Sequence, residues 1–284
     1  MPIIEAKNLN FIYNPNTPFE THALKNVSFS IEEGEFIAII GHTGSGKSTL
    51  IQHINGLLFP TSGEIYCDGE KIDKENNLVK LRQRVGMVFQ YPEYQLFEET
   101  CEKDIAYGPT NMGLNESEII RRVKDSLEIV GLDYENIKDT NPFELSGGQK
   151  RRVAIAGIIA MEPKVLILDE PTAGLDPRGR DEIIREIINI QKKRNISIIY
   201  VTHAMEDIAN IADRIMVMNK GEIAFFEEPK TLFEKEEELQ KIHLDIPNFI
   251  KFQNILIKKG FEIDKTMDID DLAKQLRDKL CWKI

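Results

Sequence analysis

The stretch Gly41-His42-Thr43-Gly44-Ser45-Gly46-Lys47-Ser48-Thr49 combines glycines, a lysine and hydroxyls in the pattern G-x-x-x-x-G-K-[ST]. Glycines at 41, 44 and 46 let the backbone turn tightly, so that N–H groups of the loop and of a following helix converge on a β-phosphate. Lys47 supplies a cation, Ser48 can put its hydroxyl on Mg²⁺, and Thr49 is placed to touch an α-phosphate. A second constellation is Val165-Leu166-Ile167-Leu168-Asp169-Glu170, an apolar run that ends in two carboxylates. Asp169 suits the Mg²⁺ that accompanies ATP, and Glu170 suits a general base that orients the attacking water. A third is Leu145-Ser146-Gly147-Gly148-Gln149 at the opening of a helix, a second anion site or a helix cap and nothing more.

Single residues gain meaning from where they stand. Gln90 ends a core strand, from which a glutamine can reach a metal ion and the attacking water. His203 follows the β-branched run Ser197 to Val201, from which an imidazole can bond a γ-phosphate. Tyr13, upstream of the cradle, either stacks on adenine or is a half-buried strand tyrosine. The side chains of His22, His42, His53 and His243 read as ordinary surface or core histidines.

These groups need elements that bring them together. Phe36 to Ile40 reads as a buried strand leading into the cradle, and Lys47 to Asn55 as the helix leaving it. Ile3 to Tyr13 and Leu24 to Ile31 read as strands of an antiparallel layer, and a short strand, Glu64 to Asp68, follows between turns at Gly63 and Gly69. A polar helix then precedes the strand Val85 to Phe89. From Tyr91 to Asn141 the character is helical: Asn115 and Glu118 form a cap, and Ile119, Val123, Leu127 and Val130 share one face. Tyr91 to Phe97 reads by itself as core packing, with a docking surface for a partner helix as the alternative. Lys150 to Met161 is a helix closed by Pro163. Asp176-Pro177 opens another that carries Ile183, Ile184, Ile187 and Ile188. Ile215 to Met218 and Glu222 to Phe226 form a hairpin over Asn219-Lys220-Gly221. After the acidic run Glu234 to Glu238, Phe249 to Lys258 and Ile269 to Leu280 read as amphipathic helices. Their apolar residues Phe249, Phe252, Ile255, Leu256, Leu272 and Leu276 must be covered by the main domain or by a second subunit.

Composition narrows the classes. The 284 residues carry a net charge of -11, which argues against a nucleic-acid footprint. Cys67, Cys101 and Cys281 are odd in number and lack metal-ligand spacing, which indicates a reducing compartment without a disulfide framework. No secretory leader and no apolar run long enough to span a bilayer is expected.

Taken together, these residues resemble the nucleotide-binding subunit of ATP-binding cassette transporters. The Walker A loop is Gly41 to Thr49, the Q-loop Gln90, the LSGGQ signature Leu145 to Gln149, Walker B Val165 to Glu170, the D-loop the segment through Asp176, and the switch histidine His203. Within that family GHTGSGKSTLIQHINGLL from Gly41, FQYPEYQLFEET from Phe89 and the tail with LDIPNFIKF are most similar to energy-coupling factor ATPases, importers of vitamins or transition-metal ions; the first two segments resemble the second of the two paired ATPase subunits.

The resemblance implies an α/β P-loop NTPase fold with a mixed central sheet, an antiparallel β subdomain, a helical insertion at about 91–150 and a helical extension at 234–284 that helps pair two ATPases. It implies ATP and Mg²⁺ as cofactors, with Ser48, Gln90 and Asp169 toward the metal, Glu170 toward the water and His203 as γ-phosphate sensor. Ser146, Gly147, Gly148 and Gln149 would face the nucleotide of a second, docked ATPase. The implied partners are that second ATPase, a membrane-embedded T-type coupling subunit met by Tyr91 to Thr100, and a substrate-binding membrane S component; the implied place is the cytoplasmic face of the cell membrane. Another cassette importer, for amino acids or metals, is the rival reading. A soluble cassette ATPase of the DNA-repair kind would need coiled-coil arms, which the stretch from Leu50 to Glu144 lacks.

Overall fold

The computed structural model of the protein describes residues 1–280, so Cys281 lies outside the described residues. Two sheets organise the chain. Strands β1 (Ile4–Tyr13), β2 (Thr21–Ile31), β4 (Ser62–Cys67) and β5 (Glu70–Lys71) form a four-stranded antiparallel sheet in the order β2-β1-β4-β5. Strands β3 (Phe36–Ile40), β6 (Val85–Val88), β7 (Val165–Asp169), β8 (Ser197–Val201), β9 (Arg214–Asn219) and β10 (Glu222–Glu227) form a six-stranded sheet in the order β10-β9-β3-β8-β7-β6. Its pairings are parallel except for the closing β9–β10 hairpin. Strand β2 starts three residues earlier than its apolar run because Thr21 still pairs with Tyr13.

Both faces of the large sheet are covered, as a parallel sheet requires. Alternation sends Phe36, Ala38 and Ile40, with Leu166 and Leu168, into a core shared with the helices; Ile37, Ile39, Val165 and Ile167 point into a second core under the antiparallel sheet. Helices α1 (Lys47–Ile54) and α2 (Leu78–Arg84) belong to the cradle side. Helices α3 (Cys101–Asn111), α4 (Glu116–Ile129), α5 (Tyr134–Ile137) and α6 (Gly147–Ile159) make the helical insertion, and α7 (Pro177–Arg194) returns across the sheet. Asn115 and Asp176 cap α4 and α7 as expected, accepting from Glu118 N and Gly179 N at 3.0 and 2.7 Å. Helix α6 begins at Gly147, not at Lys150. Ser146 and Gln149 close a reciprocal capping box that recruits both glycines into the first turn.

The segment Tyr91 to Phe97 corrects its expectation. Pro92 and Leu96 are buried, but Tyr94 is 85 % and Phe97 56 % exposed. Helices α8 (Pro229–Leu232), α9 (Glu236–Lys241), α10 (Asn248–Lys258) and α11 (Ile269–Leu280) form the tail. The main core takes up Leu239, Ile246 and Ile250, with Phe249 packed against it, whereas Phe252 and Ile255 stay exposed on the opposite face of α10. Cys67 and Cys101 are free and buried, and burial pushes both thiols up to about 11. No described helix is long and apolar enough to cross a membrane.

Candidate active site

The parallel register brings the chemistry to one edge. Val88 pairs with Leu168, Leu168 with Tyr200, Asp169 with Val201, and Val201 with Ile39. Gln90, Glu170, His203 and the Gly41 loop therefore all leave from the carboxyl ends of neighbouring strands, the edge where open α/β sheets bind ligands.

The cradle is built from backbone. A Cβ on Gly41 (φ 152°) would stand 2.3 Å from the Met218 carbonyl oxygen, and one on Gly46 (φ 107°) 2.7 Å from the Ala23 carbonyl oxygen. Lys47, 6 % exposed, donates from Nζ to the carbonyls of Gly41 at 2.7 Å and His42 at 3.2 Å. Burial lowers its pKa, opposed by the carboxylates of Glu170 and Asp169. His42 lies between Thr43 O (2.8 Å) and Asn219 Oδ1 (3.1 Å), so its imidazole braces the loop against β9. Ser45 is fully buried and its Oγ has no protein partner. Thr43, Gly44 and Ser48 are exposed, and Tyr13 places its hydroxyl 3.3 Å from Thr49 Oγ1. A cleft of about 300 Å³ opens beside them, lined among others by Tyr13, Thr43, Lys47, Ser48, Glu170 and His203.

The carboxylates behave differently. Glu170 has a left-handed backbone (φ 49°), its N–H donates to Val201 O at 2.9 Å, and its side chain sits between His203 Nε2 at 2.5 Å and Gln90 Nε2 at 3.1 Å. Asp169 is half-buried, and its pKa is raised by burial and then by Glu170, with Lys47 and His203 acting against the rise. Among the described residues no group of three His, Cys, Asp or Glu side chains is placed to cage a metal. The half-buried Asp169 carboxyl and the exposed Ser48 hydroxyl, few ligands in all, suit Mg²⁺, which keeps most of its shell for phosphate oxygens and water. Ser146, Gly147, Gly148 and Gln149 do not line this cleft. They are exposed, and the Ser146 hydroxyl is held at 3.0 Å from Gln149 Oε1 and accepts from Gln149 N at 3.4 Å.

Residues 24–173 match the ABC transporter family. The chain is 59 % identical to the energy-coupling factor transporter ATP-binding protein EcfA2 of Clostridium perfringens, over 96 % of each chain. The chain belongs to the ABC transporter family, among its energy-coupling factor ATPases. A solved structure of cbiO1 from Clostridium perfringens, described as part of the ABC transporter complex cbiONQ, superposes with a TM-score of 0.76 at 42 % identity, covering 89 % of this chain and 99 % of that one. An ATP-binding cassette solved as a dimer in a post-hydrolysis state with ADP and Pi gives a TM-score of 0.70 at 30 % identity, covering 80 % and 98 %. This energy-coupling factor ATPase binds ATP and is an ATP hydrolase.

The geometry of this ABC ATPase also singles out a residue that motif reading passes over. Arg151, two positions after the signature, is 2 % exposed. Its guanidinium bonds both carboxylate oxygens of Glu93, at 3.2 and 3.3 Å, and the carbonyls of Pro171 (3.0 Å) and Ala173 (3.2 Å). On the other side of the same loop, Thr172 Oγ1 lies 3.4 Å from both Tyr200 Oη and the buried Asp207, and Asp207 is paired with Arg180.

Proposed function

We propose that this chain energises an importer of vitamins or transition-metal ions by hydrolysing ATP held between it and a second ATPase subunit docked head to tail. The observation that carries this reading is that the cradle, Glu170 and His203 share one cleft while the exposed signature tip stands apart from it. Lys47 and the loop amides would take the β- and γ-phosphates, Thr49 the α-phosphate, and the ring of Tyr13 the adenine. Ser146, Gly147, Gly148 and Gln149 of the facing subunit would close on the γ-phosphate. Ser48, Asp169 and Gln90 would hold Mg²⁺, whose charge offsets that on the phosphate oxygens. Glu170 takes a proton from water as its oxygen attacks the γ-phosphorus, and ADP leaves with the bridging oxygen. His203 and Gln90, which bond Glu170 in the free chain, turn to the phosphate and the metal side when nucleotide enters.

The route to the membrane runs over the helical insertion. A groove of about 390 Å³ between α3, α6 and the Tyr91 to Phe97 segment is lined by Leu96, Phe97, Tyr107, Met112, Ile158 and Met161 among others. Its apolar floor suits a helix of a membrane-embedded T-type subunit, which in turn carries a substrate-binding S component. Closure on ATP and opening after hydrolysis would move that helix as a population shift set by the affinity of γ-phosphate for the closed pair. The chain would then lie peripherally on the cytoplasmic face, with the bare α10 face near Phe252 and Ile255 helping to pair the ATPases. Affinity purification of the chain from membranes tests this. Co-elution of a T-type subunit and small substrate-binding membrane proteins is expected; recovery with a periplasmic or lipid-anchored binding protein instead would overturn it.

A further inference from the structure

Arg151 carries a full charge into the interior, and its acceptors come from two separate stretches of chain. One is Glu93, in the 3₁₀ turn Pro92–Gln95, whose neighbours Gln95, Leu96 and Phe97 line the apolar groove. The other is the loop after Glu170, through the carbonyls of Pro171 and Ala173. The N–H of Ala173 donates in turn to the Glu170 carbonyl at 3.0 Å, closing the turn that holds Glu170 at its positive φ. A buried guanidinium that loses its carboxylate or its carbonyls is left uncompensated, which is strongly destabilising. The two stretches are therefore bound to shift together. Arg152, the next residue, makes a useful contrast: it pairs with Glu182 and Glu186 on α7, within the helical layer, and touches neither stretch.

We infer that Arg151 is a positioning residue: its guanidinium holds the turn carrying Glu170 in register with the Pro92–Gln95 segment, so that displacement of the groove wall reaches the hydrolytic carboxylate. Tyr91 adds to the same link, since its ring lies within 3.5 Å of where a Cβ on Gly174 would stand. Thr172, clasped by Tyr200 and Asp207, anchors the far side of the loop to the segment that follows His203. A change at the groove wall is thereby passed to a turn pinned on both flanks. The link to membrane docking rests on the proposed groove partner, whereas the effect on Glu170 does not.

The test uses the chain paired with its second ATPase subunit, with and without the T-type subunit reconstituted in lipid nanodiscs. Arg151→Gln is expected to lower kcat about tenfold or more with the KM for ATP within about twofold, because the turn is disturbed and the phosphate cradle is not. Glu93→Gln should lower kcat less, in the same sense. The double variant should be no worse than Arg151→Gln, since the two groups act as one unit. In both single variants the ratio of turnover with to without the membrane subunit should fall toward one. A matching rise in KM, multiplying losses in the double variant, or a wild-type ratio would overturn the inference. Should Arg151→Gln fail to fold, Glu93→Gln and Arg151→Lys decide the matter by the same two readouts, the lysine keeping the charge but not the planar fork. Failure of the wild-type chain to bind the T-type subunit would refute the docking reading alone, and the kcat and KM results would still decide the role of Arg151.

Discussion

The cradle and the signature tip are both glycine-rich helix openings, yet they are built in opposite ways. At the cradle a side chain on Gly41 or Gly46 would run into backbone oxygens, and Lys47 is already folded onto the loop carbonyls. At the signature, nothing lies within 4 Å of where a Cβ on Gly147 or Gly148 would stand, and the hydroxyl of Ser146 is occupied by its own cap. Glycine at the first site answers to this chain's own backbone. Nothing in this chain demands glycine at the second, which is what the proposed docking against another molecule's phosphate would require.

The sharpest way to separate the two regions is to alter the chemistry between them. Glu170→Gln should keep nucleotide binding and lower turnover about a hundredfold or more, the range for losing a general base. Steady-state hydrolysis measures it, and undiminished turnover would take Glu170 out of that role. Next in size, Lys47→Ala should weaken ATP binding by about tenfold or more, as expected when a charged hydrogen-bonding group is removed; a calorimetric titration reads the change, and unaltered affinity would contradict the cradle's part.

The glycines then break the comparison directly. Gly41→Ala should destabilise the isolated chain by about 2 kcal/mol or more, because the colliding atom is a backbone carbonyl. Gly148→Ala should leave the melting temperature unchanged or raise it, since alanine favours the helix by about 1 kcal/mol. It should nevertheless weaken ATP-driven pairing. Equal thermal losses in the two variants would erase the distinction. The smallest effect lies beneath each region. His53, buried under the cradle, has its pKa lowered by burial, so the unfolded chain binds the extra proton and stability falls as pH drops through about 6.5. Glu186, against Arg152 of the signature helix, is pushed up to about 7 by burial, so stability falls as pH rises from about 4.5 toward 7. Denaturant midpoints across pH should show His53→Gln flattening the acid slope and Glu186→Gln the other.

Legibility in the sequence followed how local each signal is. The cradle, the caps at Asn115 and Asp176 and the run Val165 to Leu168 are written within a few consecutive residues, so their elements were foreseeable. The start of α6 is not legible because Gly147 and Gly148 have poor helix propensity, which the Ser146–Gln149 box overrides. Tyr94 and Phe97 read as core because apolarity does not say which face will be covered. Arg151 was invisible for a different reason. A basic residue behind a helix cap looks solvated, and its partners lie 58, 20 and 22 positions away in the chain.

In the proposed function, one cassette's cradle and another's signature tip complete a single ATP site. Light scattering of the Glu170→Gln chain with its second ATPase subunit, loaded with Mg²⁺-ATP, tests it most directly. The expected result is a stable pair that disappears when Ser146→Arg is added on the chain whose tip faces the bound nucleotide. A preparation that stays monomeric with nucleotide bound, or a pair indifferent to Ser146→Arg, would contradict it.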